Sequence, residues 1–176
     1  SVLARSNSAS DVFGDALQNA SVSVDQKIAW LKVLADNSLM SSGKVRNSVA
    51  QSVLPLLDSS DPEVQQAAID TLGKTGAKDN VAEELEKKLQ ADDILVRGAA
   101  LNAFAQYTTP ETYKPLKELW YDEDPQIRRT AYFLSSAFLN ESDMEDIQKA
   151  TQHEDDFISK QAKISIKFLN QKKTSI

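Results

Sequence analysis

Three features of this 176-residue chain carry residue types suited to chemistry: the tripeptide Gly73-Lys74-Thr75, several runs of carboxylates, and one histidine. Gly-Lys-Thr closes a phosphate-cradling loop when a further glycine stands five residues earlier, because the loop backbone must wrap the phosphate oxygens. Position 68 is Ala68, inside a helical pattern, so the tripeptide reads as a helix C-terminus. His153-Glu154 is a metal-ligand dipeptide, but one imidazole without cysteine cannot build a nitrogen- or sulfur-ligated site, and His153 reads as an exposed residue at a helix end. The acidic runs at Glu83, Glu84 and Glu86, at Asp122 to Asp124, and at Glu154 to Asp156 lack the glycine-punctuated alternation of a calcium loop. They read as solvated turns and helix caps. No Gly-x-Ser-x-Gly elbow occurs, and a single histidine leaves a Ser-His-Asp triad with nothing to nominate its partners. The sequence therefore predicts no catalytic residue, no metal ligand and no cofactor.

The elements that would position any site are helical. Five glycines and five prolines stand against a heavy load of Ala, Leu, Gln, Glu and Lys, residues that lose little freedom in a helix. At 41% hydrophobic residues the chain can bury a continuous core, while its apolar runs, such as Ile94-Leu95-Val96, are far too short to insert in a membrane. It begins at Ser1 without a leader pattern, which leaves open a removed signal or preceding domain, and the compartment with it. The net charge of -6 is uneven: residues 61–156 carry ten basic and 21 acidic side chains, and residues 157–176 carry five basic and no acidic ones. An acidic body disfavours nucleic acid, which needs a clustered basic face, and suits a basic protein or peptide partner.

A repeat organises the chain. Asp61-Pro62-Glu63-Val64 to Ala68 aligns with Asp93 to Ala100, Asp124-Pro125-Gln126-Ile127 to Ala131, and Asp155 to Ala162, at spacings of 32, 31 and 31 residues. Each unit sets aspartate three residues before a β-branched residue and alanine four residues after it, so the last two share one helical face. Asp caps a helix N-terminus, and Pro62 and Pro125 fall at the first helical position, where a missing N–H costs nothing. Gly73 and Gly76 are expected to end the first of these helices. Asp79 or Asn80, Thr109-Pro110, and a Ser142/Glu145 capping box are expected to open second helices. Ser23 to Gln26 opens a looser first pair whose second helix carries Val45, Val49 and Val53. The predicted layout is a lead over 1–10 and one all-α domain over 11–176. It contains pairs at 24–57, 61–90, 93–121 and 124–153, a terminal helix at 157–170, and a short extra helix at 11–20. Each helix has one apolar stripe too narrow to be stable alone, so the pairs must share a core as an α-solenoid.

Asp-Pro-x-Val-x-x-x-Ala at 61–68 and Asp-Pro-x-Ile-Arg-x-x-Ala at 124–131 resemble the HEAT repeat, and the short period is similar to the HEAT-like repeats of phycobilisome-lyase relatives. The resemblance implies an α-solenoid and a non-catalytic scaffold or adaptor. The alternative it allows is an accessory domain of a larger multidomain enzyme such as a peptidase. It also implies an arginine after the β-branched residue that pairs with turn aspartates along the array. Arg97 and Arg128 match that position, whereas Gln65 and Ser159 depart from it.

Aromatic residues crowd between Phe104 and Phe138, mostly as core. Leu119, Trp120 and Tyr121 are consecutive, and three adjacent helical residues cannot all face inward. If Tyr113 points to the core so do Leu116 and Trp120, which leaves Tyr121 facing solvent. The candidate partner-binding residues are therefore Lys114, Lys117, Glu118 and Tyr121, with Glu84, Lys88 and Lys149 on the other second helices. The expected partner is a protein or peptide, the expected state a monomer.

Overall fold

A computed structural model describes residues 14–38, 42–77 and 80–173, and among them every regular element is a helix. α1 (14–18) precedes α2 (Val24–Ser38), α3 (Gly43–Val53), α4 (Pro62–Thr75), α5 (Val81–Lys88) and α6 (Ile94–Phe104). After these come α7 (Pro115–Glu118), α8 (Pro125–Ser136), α9 (Met144–Ala150) and α10 (Asp156–Lys173). Single 3-10 turns at Leu54–Asp58, Ala105–Tyr107, Leu119–Tyr121 and Glu141–Asp143 extend or introduce some of them. The expected lead at 1–10, the start of the expected helix at 11–20 and the candidate cap Asp79 lie outside the described residues. The helices gather into two compact units, one ending at Tyr107 and one beginning at Thr108. In the first, α4 lies between α2 and α6, with α3 packed on α4 and α5 on α6; in the second, α8 packs on α7 and α10, and α9 on α10.

The turn aspartates do what their position predicts. The Asp61 carboxylate accepts from the Glu63 N–H at 2.9 Å and the Asp93 carboxylate from the Leu95 N–H at 2.8 Å. The Asp124 carboxylate accepts from the Gln126 N–H at 2.9 Å, and Asp155 from the Phe157 N–H at 2.9 Å. Asp93→Ala is expected to cost about 1 kcal/mol as a lost cap, read as a melting temperature lower by a few degrees. A neutral result would mean that water caps α6 equally well. The repeat alanines Ala68, Ala100, Ala131 and Ala162 are all fully buried, where only a small side chain lets helices approach.

Gln65 and Ser159, which depart from the arginine pattern, fill the same place by other means. Arg97 donates to the carbonyls of Ala91 and Asp92, both at 2.9 Å, and Arg128 to those of Asp122 and Glu123. The Gln65 amide donates to the Ser59 carbonyl, and the Ser159 hydroxyl to the Thr151 carbonyl at 2.7 Å. In every one of these four repeats the residue after the β-branched one thus donates to a carbonyl of the preceding turn and ties that turn to the helix. A pairing with a turn aspartate is added at Arg128, whose Nε reaches Asp155 at 2.8 Å.

Local starts and stops differ from expectation at three places. Gly73 does not end α4; the helix runs on to Thr75 and stops at Gly76, which is left-handed with φ of 57°. Thr109-Pro110 forms a turn and α7 starts later, with Pro115 at its first position. The capping box before α9 is built by Asn140 and Asp143 instead of Ser142 and Glu145, and Ser142 bonds to the Asn140 side chain.

Candidate functional site

α7 is a single turn and could not persist alone. It is held by what it buries: Tyr113, Leu116, Leu119 and Trp120 are all 3% exposed or less. The Trp120 indole N–H donates to the Ser135 hydroxyl at 2.9 Å and its ring packs on Tyr132 with centroids 4.6 Å apart. Tyr113 stacks on Phe138 at 5.9 Å and its hydroxyl donates to Asp143 at 2.6 Å. Asp143, itself buried, also accepts from the Asn140 N–H at 2.9 Å and the Lys117 ammonium at 2.7 Å. A second carboxylate, Asp146, accepts from the same ammonium.

These contacts fix the charges. Burial opposes ionisation of Asp143, but the hydrogen bonds from Lys117, Tyr113 and the Asn140 N–H outweigh it and hold the carboxyl below its usual range. Burial likewise opposes the Lys117 cation, and the bonds to Asp143 and Asp146 more than offset it, so Lys117 stays protonated above the usual lysine range. Burial, reinforced by the Asp143 carboxylate, pushes the Tyr113 hydroxyl up to about 12. Lys117 is thus a neutralised strut and not a free cation.

Above this base Tyr121 is 48% exposed, as the crowding of Leu119, Trp120 and Tyr121 requires. Its ring lies 5.0 Å from the His153 ring and 5.2 Å from the Lys149 ammonium. Burial and the nearby Asp146 charge raise the Tyr121 hydroxyl above its usual value. Lys114, Pro115, Lys117, Glu118, Trp120, Tyr121, Asp146 and Lys149 line one groove of about 410 Å³. It brings together five of the residues proposed from sequence: Lys114, Lys117, Glu118, Tyr121 and Lys149. Glu84 and Lys88 lie on α5 of the other unit in ion pairs of their own, Glu84 with Lys87 at 2.7 Å and Lys88 with Asp58 at 2.9 Å. Sequence reasoning missed Asp146 and the role of His153. That imidazole is half-buried: its ring packs on Tyr121 and its Nδ1 accepts from the Asp155 N–H at 2.8 Å. No spacing rule links a residue after one helix to a ring on the preceding pair.

Elsewhere, Gly73-Lys74-Thr75 lies at the end of α4, with Lys74 beside Asp36 at 3.7 Å and Thr75 fully buried. Among the described residues no three His, Cys, Asp or Glu side chains are placed to hold a metal ion, and no helix is long and apolar enough to cross a membrane. A family model described as HEAT repeats matches residues 50–137. Two crystal structures of engineered proteins, both targets of the Northeast Structural Genomics Consortium, share the fold. The first has a TM-score of 0.60 and 18% identity over 92% of this chain and 79% of its own. The second has a TM-score of 0.57 and 19% identity over 92% of this chain, which spans about half its length at 47%. Among curated proteins none matches the sequence. The fold class is thus the all-α, α-solenoid class of HEAT-like helix pairs.

Proposed function

Since the chain belongs to the HEAT-repeat family, a fold that specifies architecture and leaves function to grafted surfaces, we propose that it is a protein-interaction module that binds a partner segment in the Tyr121 groove. The observation that carries this reading is the convergence of Lys114, Glu118, Tyr121 and Lys149 around one depression whose wall is the rigid, buried Trp120. Tyrosine supplies a large amphipathic contact at little conformational cost, and tyrosines and tryptophans dominate the few positions that carry binding energy. Lys114 and Lys149 are exposed beside Glu118 and Glu145 along the same two helices, so an apolar anchor flanked by side chains of both signs fits this rim. A partner that is basic overall answers the acidic excess of residues 61–156.

Tyr121→Ala tests the reading. A half-exposed ring that meets His153 and Lys149 at the surface should cost about 0.5 to 1 kcal/mol of stability when removed, while affinity for the partner recovered by the full chain should fall by about 1 to 2 kcal/mol. Calorimetry on both proteins checks this. Damaged folding with unaltered affinity per folded molecule would remove the groove as the binding face.

A further inference from the structure

The repeat register exposes a second surface. The ninth residue after each turn aspartate is exposed in all four first helices, and in the first unit it is polar: Asp70 on α4 and Asn102 on α6. In the second unit the same position holds Phe133 on α8, 70% exposed, and Ile164 on α10, 58% exposed. One turn further along, Lys74 and Gln106 in the first unit give way to Phe168 on α10, 57% exposed. The fold accepts polar residues at these positions, so their replacement by large apolar groups is not a demand of the core. Tyr132 and Ser165, each next in sequence to one of these residues, are hydrogen-bonded through their hydroxyls at 3.1 Å, so Phe133 and Ile164 stand on helices in direct contact. Exposed apolar groups gathered in this way mark a contact surface.

The charge around them is one-sided. Along α8 and α10 the single carboxylate is Asp156, the first residue of α10. Lys163 and Lys167 are exposed on either side of Ile164. Lys160 is spread toward Asp156 at 3.4 Å, and Arg129, half exposed, is shared between Asp155 and the Phe157 ring. We propose that the face formed by α8 and α10 is a second docking surface, which takes an amphipathic helix of a partner protein whose apolar stripe is flanked by carboxylates. Two neighbouring helices leave a groove between their ridges that a third helix fills with side chains spaced i, i+4 and i+7. Complementary charge to Lys163 and Lys167 sets the sign of that helix. An anionic bilayer or a nucleic acid would present its charge to the whole chain, whose net charge of -6 opposes it, whereas one acidic helix meets only the local cations within a screening length.

The probe is a synthetic 18-residue Leu/Glu amphipathic helix, with a twin carrying Lys in place of Glu, titrated against the full chain by fluorescence anisotropy. The Glu helix is expected to bind, and the Lys twin at least about tenfold more weakly, with the difference shrinking as salt is raised. Phe133→Ser, Ile164→Ser and the pair Lys163→Glu/Lys167→Glu should each weaken binding by about tenfold without moving the melting temperature, while Tyr121→Ala leaves it unchanged. Equal binding of the two peptides, or affinities untouched by those substitutions, would overturn the proposal. So would binding of phosphatidylserine vesicles or an oligonucleotide with none of the Glu helix. Self-association abolished by Phe133→Ser would assign the face to a second copy and also overturn it.

Discussion

Replacing Asp155 by alanine is expected to destabilise the chain by about 3 kcal/mol, because the carboxylate does three jobs from a fully buried position. It caps α10 at the Phe157 N–H, accepts from Arg128 Nε at 2.8 Å and from Arg129 Nε at 3.0 Å. Its loss leaves the Arg128 side chain, 13% exposed, bonded to the Asp122 and Glu123 carbonyls but without the carboxylate that balanced its charge. Stranding a buried charge costs about 3 to 5 kcal/mol; the low end applies here because Arg129 is half exposed and can rehydrate. Asp155→Asn keeps an oxygen for the cap and should recover about 1 kcal/mol of the loss. Urea unfolding of the three proteins measures both steps, and a loss below about 1 kcal/mol for alanine would show that the arginines are solvated without Asp155.

The same carboxylate shapes the acid limb of stability. Burial opposes its ionisation, but the Arg129 and Arg128 guanidiniums and the Phe157 N–H prevail and hold Asp155 at about 2, against 3.8 for an ordinary aspartate. A depressed folded value means that its contribution is complete above about pH 4 and is lost as pH falls through 2. Asp143, also lowered, acts in the same direction. Asp70, although exposed, opposes them: partial desolvation of the carboxyl against its neighbours raises it more than Lys74 lowers it, so its ionisation slightly favours the unfolded chain. On the alkaline side Tyr113, raised to about 12, contributes stability that is complete below about pH 10 and is lost as pH rises through 12. Stability measured against pH should decline below about 4 and above about 10, and Asp155→Asn should flatten the acid slope without altering the alkaline one. An unaltered acid slope in that variant would place the titration elsewhere.

Much of the architecture was legible because it rests on local rules. A carboxylate at Asp61, Asp93 or Asp124 can satisfy helix N–H groups two and three residues on, whatever the rest of the chain does. Ala100 and Ala131 follow from helical spacing alone. Tyr121 could be singled out because three bulky neighbours cannot share one helical face, and the groove around it joins residues of two pairs that the repeat already aligned. What escaped depends on three-dimensional neighbours. Asn140 and Ser142 are both competent caps, and the choice falls to Asn140 because Asp143 must also meet Tyr113 and Lys117. Gln65 and Ser159 looked like gaps in an arginine row, since hydrogen bonding to a turn carbonyl needs only a donor of adequate reach. The exposure of Phe133 could be anticipated only by comparing the same repeat position across units, where polar residues show which way it faces.

Gly73 and Gly98 make the same point with opposite signs. Both stand inside helices, where glycine costs up to about 1 kcal/mol relative to alanine, so sequence alone recommends replacing either. A Cβ on Gly98 would meet nothing within 4 Å, and Gly98→Ala is expected to stabilise by about 0.5 to 1 kcal/mol. A Cβ on Gly73 would lie 2.9 Å from the Ala103 Cβ and 3.0 Å from its Cα. That obstacle is the backbone of α6, which cannot rotate away as a long side chain would, so α4 and α6 must separate along a packed seam. The cost of overpacking, about 1 to 3 kcal/mol, exceeds the gain in helix propensity, and Gly73→Ala should be destabilising on balance. Gly73→Leu adds three more carbons to the same seam and is expected to lose about 3 kcal/mol, a fall of roughly 6 to 12 °C in melting temperature for a chain of this size. A Gly73→Leu protein as stable as the parent would mean that α4 and α6 are not in close contact at residue 73.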